Sequence, residues 1–136
     1  MKQYGLSKEE IVRRWALSND TRKMICGVLE IEEQDETSIM TTYRDFYLQI
    51  SFSVSHPLMA FLLIRGIEDY EGSITSKSNL ANLASVFGSH SFNESYRCYQ
   101  YRATHWLDTE ITQTRFFEIL DSCVDEAIAG YKKIAS

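Results

Sequence analysis

The sequence predicts an α+β fold: an antiparallel sheet of four to five strands with helices packed on one face. Residues 46–55 alternate apolar and polar side chains, which is typical of a strand with one buried and one wetter face. Residues 112–134 and the first 30 residues instead repeat apolar side chains at helical spacing. The predicted order is α-β-β-β-α-β(-β)-α, and a sheet covered by helices would bury both patterns.

The first predicted element is a helix, and a capping box at residues 7–10 indicates where it begins. The Ser7 hydroxyl can accept from the Glu10 amide, and Glu10 can reach back to the start of the helix. The polar residues 18–21 then interrupt the apolar repeat, because short polar side chains compete for backbone hydrogen bonds. The pattern fits either one long helix with a polar weak point or two helices, with Asp20 capping the second.

Three strands are predicted next. Residues 30–36 are acidic and form a connection that could begin with a short strand, and residues 37–44 are rich in strand-forming Thr, Ile and Tyr. The strong strand 46–55 follows, and Pro57 marks its end because proline removes a backbone donor. Residues 58–64 are apolar on both faces, which is typical of a central, covered strand.

A polar loop at 69–77 leads into a short helix. Ser78 is its predicted cap, and its apolar residues include Leu80, Leu83 and Phe87. Gly88 fits the position just past its end, where a left-handed conformation is needed.

The aromatic-rich stretch 95–107 reads as strand. No clear turn divides residues 91–107, so the fourth and fifth strands are expected to be merged or very short. Thr112 or Thr114 then opens the last helix, whose apolar residues form one broad face.

Composition limits the possible partners. A chain of 136 residues suits a single domain, 1–136. Its net charge of −5 disfavours nucleic acid, whose binding depends on neutralising phosphates with Lys and Arg. Residues 58–64, the longest dense apolar run, are too few to span a membrane, and no signal peptide is seen. Cys26, Cys98 and Cys123 are isolated and odd in number, which favours free thiols in a cytoplasmic protein over one disulfide and a spare.

No motif predicts a reaction, a metal or a cofactor. His56, His90 and His105 lack metal-ligand spacing, and the first two read as loop residues. Cys98 and Cys123 read as structural, since a reactive thiol needs exposure and a stabilising neighbour. The carboxylate pairs lie in polar connections rather than in a pocket that would separate their pKa values.

Residues 96–106 interleave aromatic side chains with Arg and His. Such a strand can stack nucleic-acid bases, contact a protein partner or pack its aromatics under helices. The acidic charge disfavours the first role. If the segment binds a protein, Tyr99, Tyr101 and Trp106 are the expected contact residues.

The layout resembles that of two protein families. A leading helix, a meander at 37–64, a short helix at 79–87, and residues 102–107 running into a last helix resemble YbjN-type proteins, labelled bacterial sensory transduction regulators, and class I type III secretion chaperones. The families usually have a hairpin with a Gly- or Asp-containing turn after the middle helix, which is not evident here. The resemblance implies a non-enzymatic binding protein, often a homodimer, and supplies no catalytic residues.

We therefore expect a protein-binding module, chaperone-like or regulatory and homodimeric. A partner would add a strand at a sheet edge or lay a helix in a groove. Two alternatives stay open. One is an immunity protein or antitoxin whose acidic surface neutralises a basic toxin. The other is a small-ligand binder or enzyme with a pocket between sheet and helices.

Overall fold

Three helices and a six-stranded antiparallel sheet make up the residues that this computed structural model describes, 5–68 and 74–135. The elements are α1 (Lys8–Val28), β1 (Glu33–Gln34), β2 (Ser38–Tyr43), β3 (Phe46–Ser53), β4 (Leu58–Gly66), α2 (Ile74–Ala84), β5 (Gly88–Asn93), β6 (Cys98–Trp106) and α3 (Gln113–Ala135). Across the sheet the strand order is β1-β2-β3-β4-β6-β5. The α+β class is confirmed, and the strand count of four to five is corrected to six. The beginning of the predicted loop 69–77 lies outside the described residues.

Two features account for the difference in strand number. The two-residue β1, which pairs with β2, lies within the acidic connection 30–36. After α2 the chain forms a complete hairpin, β5–β6, where a merged strand was expected. Its turn uses no glycine: the Asn93 side chain accepts from the Tyr96 amide at 3.1 Å, and Arg97 adopts a φ of 50°. The turn was missed because Asn and Arg fill roles in which Gly or Asp was sought.

Helix α1 runs without a break through residues 18–21, so the single-helix interpretation holds. The Ser7 hydroxyl accepts from the Glu10 amide at 3.2 Å, as the capping box predicts. Ser18 and Thr21 face the core, and the Thr21 hydroxyl donates to the Leu17 carbonyl at 2.8 Å. The Thr21 hydroxyl is thus satisfied by the helix's own backbone and does not end the helix.

The bounds of the other helices differ from two expectations. Ser78 lies inside α2, where its hydroxyl donates to the Ile74 carbonyl at 2.9 Å. Gly88 opens β5 rather than closing α2, and a Cβ there would come within 2.5 Å of the Arg102 carbonyl oxygen. Thr112 does cap α3, because its hydroxyl accepts from a first-turn amide at 3.1 Å.

The core lies on the face of the sheet that carries the alternate apolar residues of β3. Leu48 pairs with Leu63 and Ile50 with Phe61 across β3 and β4, and all four are fully buried. Helix α3 packs on this first face, where Phe116 stacks on Phe61 with ring centroids 6.3 Å apart.

The second face of the sheet is apolar along β4 but less covered. Its β4 side chains, all half-buried, are Leu58, Ala60, Leu62 and Ile64. Trp106 lies opposite Leu58 and is 61% exposed. Residues 58–64 therefore form a central strand, as predicted, with one fully covered face.

None of the helices in the described part of the chain is long and apolar enough to cross a membrane.

Candidate functional site

The three residues predicted to contact a partner lie on different faces of the sheet. Tyr99 and Tyr101 have no exposed surface, because they share the first face with Phe61 and Leu63. Trp106 is an odd number of residues away and so points to the second face. The structure does not bring the three together. Their role in binding stays a prediction, and of the three Trp106 alone presents a large exposed surface.

Tyr99 belongs to a buried polar chain that the sequence did not reveal. His90 is 5% exposed and lies in β5, so its interpretation as a loop residue is wrong. Its Nδ1 and the Tyr99 hydroxyl share a hydrogen bond of 2.5 Å, and its Nε2 is hydrogen-bonded to the Ser85 hydroxyl. Burial lowers the pKa of His90, which favours the neutral ring. These hydrogen bonds connect Ser85, which directly follows α2, with His90 of β5 and Tyr99 of β6.

Glu126 of α3 holds the segment that follows α2. Its carboxylate accepts hydrogen bonds from the amides of Val86 at 2.6 Å, Phe87 at 3.1 Å and Gly88 at 2.8 Å. The Tyr101 hydroxyl donates to the same group at 2.7 Å. Burial alone would raise the pKa of Glu126, but these hydrogen bonds bring it below its usual value. The sequence signal for Glu126 is an acidic residue one helical turn from Cys123, on the apolar face of α3.

Large apolar side chains are exposed at the end of α2. We call Leu80, Leu83, Val86 and Phe87 the α2 patch; their exposures are 58%, 84%, 82% and 59%. The predicted helix carries Leu80, Leu83 and Phe87, but α2 ends at Ala84 and packs through Ile74 and Ala81, which leaves the three side chains exposed. Contiguous exposed apolar groups mark interaction surfaces more often than single ones do. Because Glu126 binds the amides of residues 86–88, the end of the patch has a fixed backbone.

A cleft of about 160 Å³ lies beside the end of β6 and under α3, and we call it the β6 cleft. Its apolar lining is formed by Phe61, Phe87, Ala103, Ile119 and Cys123. Its polar lining is formed by Thr104, His105, Arg115, Glu118 and Ser122. Burial raises the pKa of the Cys123 thiol to about 11, so the thiolate needed for nucleophilic chemistry is scarce at neutral pH.

The described residues bring together no group of three or more His, Cys, Asp or Glu side chains that could hold a metal ion. Cys26, Cys98 and Cys123 are all free. The features on which function can be argued are therefore the α2 patch, the second face of the sheet and the β6 cleft.

Comparison with known proteins gives likenesses in structure. No protein-family model and no curated protein sequence matches the chain. The chaperone–effector complex of HopA1 and SchA contains a chain with a TM-score of 0.59 and 8% identity, covering 93% of this chain and 98% of that one. The Yersinia pestis type III secretion chaperone SycH, solved with a fragment of YscM2, has a TM-score of 0.56 and 16% identity, covering 85% and 98%.

Escherichia coli YbjN has a TM-score of 0.61 and 7% identity, with 85% of this chain and 87% of that one covered. At these identities the likeness concerns the fold. The chain has the fold of YbjN and of type III secretion chaperones, and the resemblance noted in the sequence is thereby confirmed.

Proposed function

We propose that the chain is a non-enzymatic, cytoplasmic protein-binding module, chaperone-like or regulatory, that works as a homodimer. The α2 patch is the observation that carries the proposal. It exposes four large apolar side chains within eight residues, on a backbone fixed by Glu126. A surface of that kind is costly in water unless a protein covers it.

The structural neighbours support a protein partner. SchA and SycH were each solved in complex with another protein, and so was ExsC, seen with ExsE at a TM-score of 0.58 and 13% identity. A likeness in fold does not by itself establish a partner. We therefore include a protein partner of this general kind as part of the proposal. The net charge of −5 favours a protein over nucleic acid or an anionic membrane surface.

We assign the two exposed surfaces to different tasks. The α2 patch joins two copies of the chain, because a two-fold interface can pair one apolar patch with itself. The second face of the sheet receives the partner, because α3 packs on the first face, while on the second face Trp106 is exposed and the β4 row is half-buried. Trp106 is the contact residue, while Tyr99 and Tyr101 hold β6 in place from the core.

Sedimentation of the purified chain tests the homodimer. We expect a dimer at micromolar concentration that Leu83→Glu converts to a monomer, since Leu83 is 84% exposed and its replacement costs the fold little. Lys23→Glu, on the exposed surface of α1, is the matched control and should leave the dimer intact. A monomeric wild type, or a dimer that Leu83→Glu leaves unchanged, would remove the α2 patch from this role.

Affinity purification of the tagged chain from its host, followed by mass spectrometry, tests the binding role. A stoichiometric protein partner supports the proposal, and its identity separates chaperone, regulator and immunity protein. A bound small molecule without a protein would favour the ligand-binding alternative. The β6 cleft, at about 160 Å³, is smaller than the roughly 300 Å³ at which ligand pockets begin, so this cleft is not the site that the alternative requires.

A further inference from the structure

Strand β6 is longer than the edge strand that covers it. The pairing of β5 with β6 ends at Gly88 opposite Ala103, whereas β6 continues to Trp106 beside β4. Within the described residues, no strand pairs with the outer side of Thr104, His105 and Trp106. In an antiparallel strand, every second residue directs its N–H and C=O groups to the same side. The uncovered end of β6, which we call the step, therefore offers backbone hydrogen bonds to an added strand.

The β6 cleft lies directly under this step. Ala103 and His105 share the first face with Phe61, and the cleft is bounded there by Ile119 and Cys123 of α3. Its volume of about 160 Å³ is close to that of an apolar cavity of about 150 Å³ that holds benzene. One leucine, isoleucine or phenylalanine side chain therefore fits the space.

A positively charged side chain, Arg102, lies beside the step on the second face. Arg102 and Trp106 both point to that face, on either side of Thr104. Arg102 is exposed and forms no ion pair with any residue in 5–68 or 74–135. Residues opposite each other on antiparallel strands point to the same face. A partner residue opposite Thr104 would therefore reach both Arg102 and Trp106, and an acidic side chain there would find a cation in an otherwise acidic protein.

We propose that the end of β6 binds an extended segment of another protein that carries a branched or aromatic apolar residue followed by an acidic residue. The segment adds three residues antiparallel to Thr104–Trp106. Its apolar side chain, opposite His105, enters the β6 cleft, and its acidic side chain, opposite Thr104, pairs with Arg102. The inference rests on the proposed protein-binding function and names the edge and the kind of sequence that it recognises.

Labelled pentapeptides added to the full chain test this assignment by fluorescence anisotropy. The probe is acetyl-Ser-Thr-Thr-Leu-Glu-amide, which ends opposite Thr104 because Gly88 already pairs with Ala103, and the comparison peptide replaces its Glu with Lys. Because the contact is far smaller than a standard interface, we expect a Kd of about 10–100 µM for the probe. Ser122→Phe, which fills the cleft, should weaken binding at least tenfold. The control Lys132→Phe, exposed on the same helix, should leave binding unchanged.

Charge reversal is the second variant and does not depend on filling the cleft. Arg102→Glu, at an exposed position, should weaken the Glu peptide about fivefold and restore binding to the Lys peptide. Circular dichroism melting of each variant verifies that it folds. Equal affinity of wild type and both variants for the Glu peptide would overturn the proposal. So would a dimer that Ser122→Phe dissociates, since the cleft would then be an interface between copies.

The host partner separates this inference from the proposed function. If Ser122→Phe and Arg102→Glu still capture the partner at wild-type levels, the protein-binding function stands and the assignment to the end of β6 falls. If both variants lose the partner while Lys132→Phe keeps it, the assignment is supported.

Discussion

The Tyr101 hydroxyl donates to the Glu126 carboxylate across 2.7 Å, and this bond joins β6 to α3. The same carboxylate accepts from the amides of Val86, Phe87 and Gly88, so one side chain connects β6, α3 and the segment that carries part of the α2 patch. Because Tyr101 has no exposed surface, its hydroxyl relies on buried partners, which are the Glu126 carboxylate and the Cys123 thiol.

Glu126→Ala should lower the free energy of unfolding by about 2 kcal/mol, because it leaves the Tyr101 hydroxyl and the Gly88 amide without their acceptor. Urea denaturation followed by circular dichroism measures the change. The control is Glu118→Ala, which removes an exposed ion pair with Arg115 and should cost less than about 0.5 kcal/mol. Equal losses in the two variants would contradict a special role for Glu126.

Gly130→Ala should destabilise the protein by about 1–3 kcal/mol, as overpacking of a core does. A Cβ at this position of α3 would overlap the His90 ring and come within 2.8 Å of the Tyr99 hydroxyl. Gly27→Ala is the control, because nothing lies within 4 Å of the added Cβ in α1. That variant should gain about 0.5–1 kcal/mol from helix propensity. Thermal melting of the pair should therefore shift in opposite directions, and a shift in the same direction would be evidence against the tight contact.

Acidification should destabilise the protein in two stages. Burial lowers the pKa values of His90 and His105 below their ordinary value of 6.5, so the unfolded chain takes up these protons first. The stability that the two neutral imidazoles provide is complete above about pH 6.5. It is lost as the pH falls through their lower pKa values in the folded protein. Glu126 of α3, which faces His90 together with Lys133, also has a lowered pKa, so a second loss follows below its ordinary value of 4.5.

Urea denaturation between about pH 2.5 and pH 8 measures both stages. His90→Gln should flatten the decline below pH 6.5, whatever its effect on stability at neutral pH. His56→Gln, in an exposed turn, is the control and should keep the wild-type slope. An unchanged slope in His90→Gln would show that the buried imidazole is not responsible.

Trp106→Ala should weaken binding of the host partner by about 2 kcal/mol or more while changing the melting temperature little, because the side chain is 61% exposed. Tyr99→Ala should instead lower the stability of the fold. It removes a fully buried ring and the hydrogen bond to His90, which costs about 3–5 kcal/mol of stability. Calorimetric titration with the captured partner, beside thermal melts, separates the two effects. Full affinity in a folded Trp106→Ala variant would exclude this residue from the interface.

The elements with a strong local pattern could be predicted from the sequence. The alternation of residues 46–55 gave β3, and the capping box at Ser7 gave the start of α1. The β5–β6 turn could not be predicted, because Arg97 adopts its positive φ without the glycine that usually indicates one. The burial of His90 depends on Gly130, which is 40 positions away and leaves the space for its ring. Such contacts are set by tertiary packing, which local patterns do not encode.

The candidate site was predicted only in part for a similar reason. Alternation divides the aromatic residues of β6 between a filled core and an open face, and the role of Tyr99, Tyr101 and Trp106 in binding stays a prediction. The exposed Leu80 and Leu83 could not be distinguished from core residues, because α2 buries a different side. Both distinctions require knowing which neighbours cover a strand or helix.

The two residues of β1 cover part of one edge of the sheet, beside β2. Without them, Ile39 and Met40 would lie in the outermost strand, whose unpaired backbone could recruit further chains. Glu33 and Gln34 occupy part of that edge with an exposed strand too short to propagate, and Glu33 adds a negative charge that repels an identical edge. At this edge of the sheet, association with another chain by strand addition is therefore disfavoured.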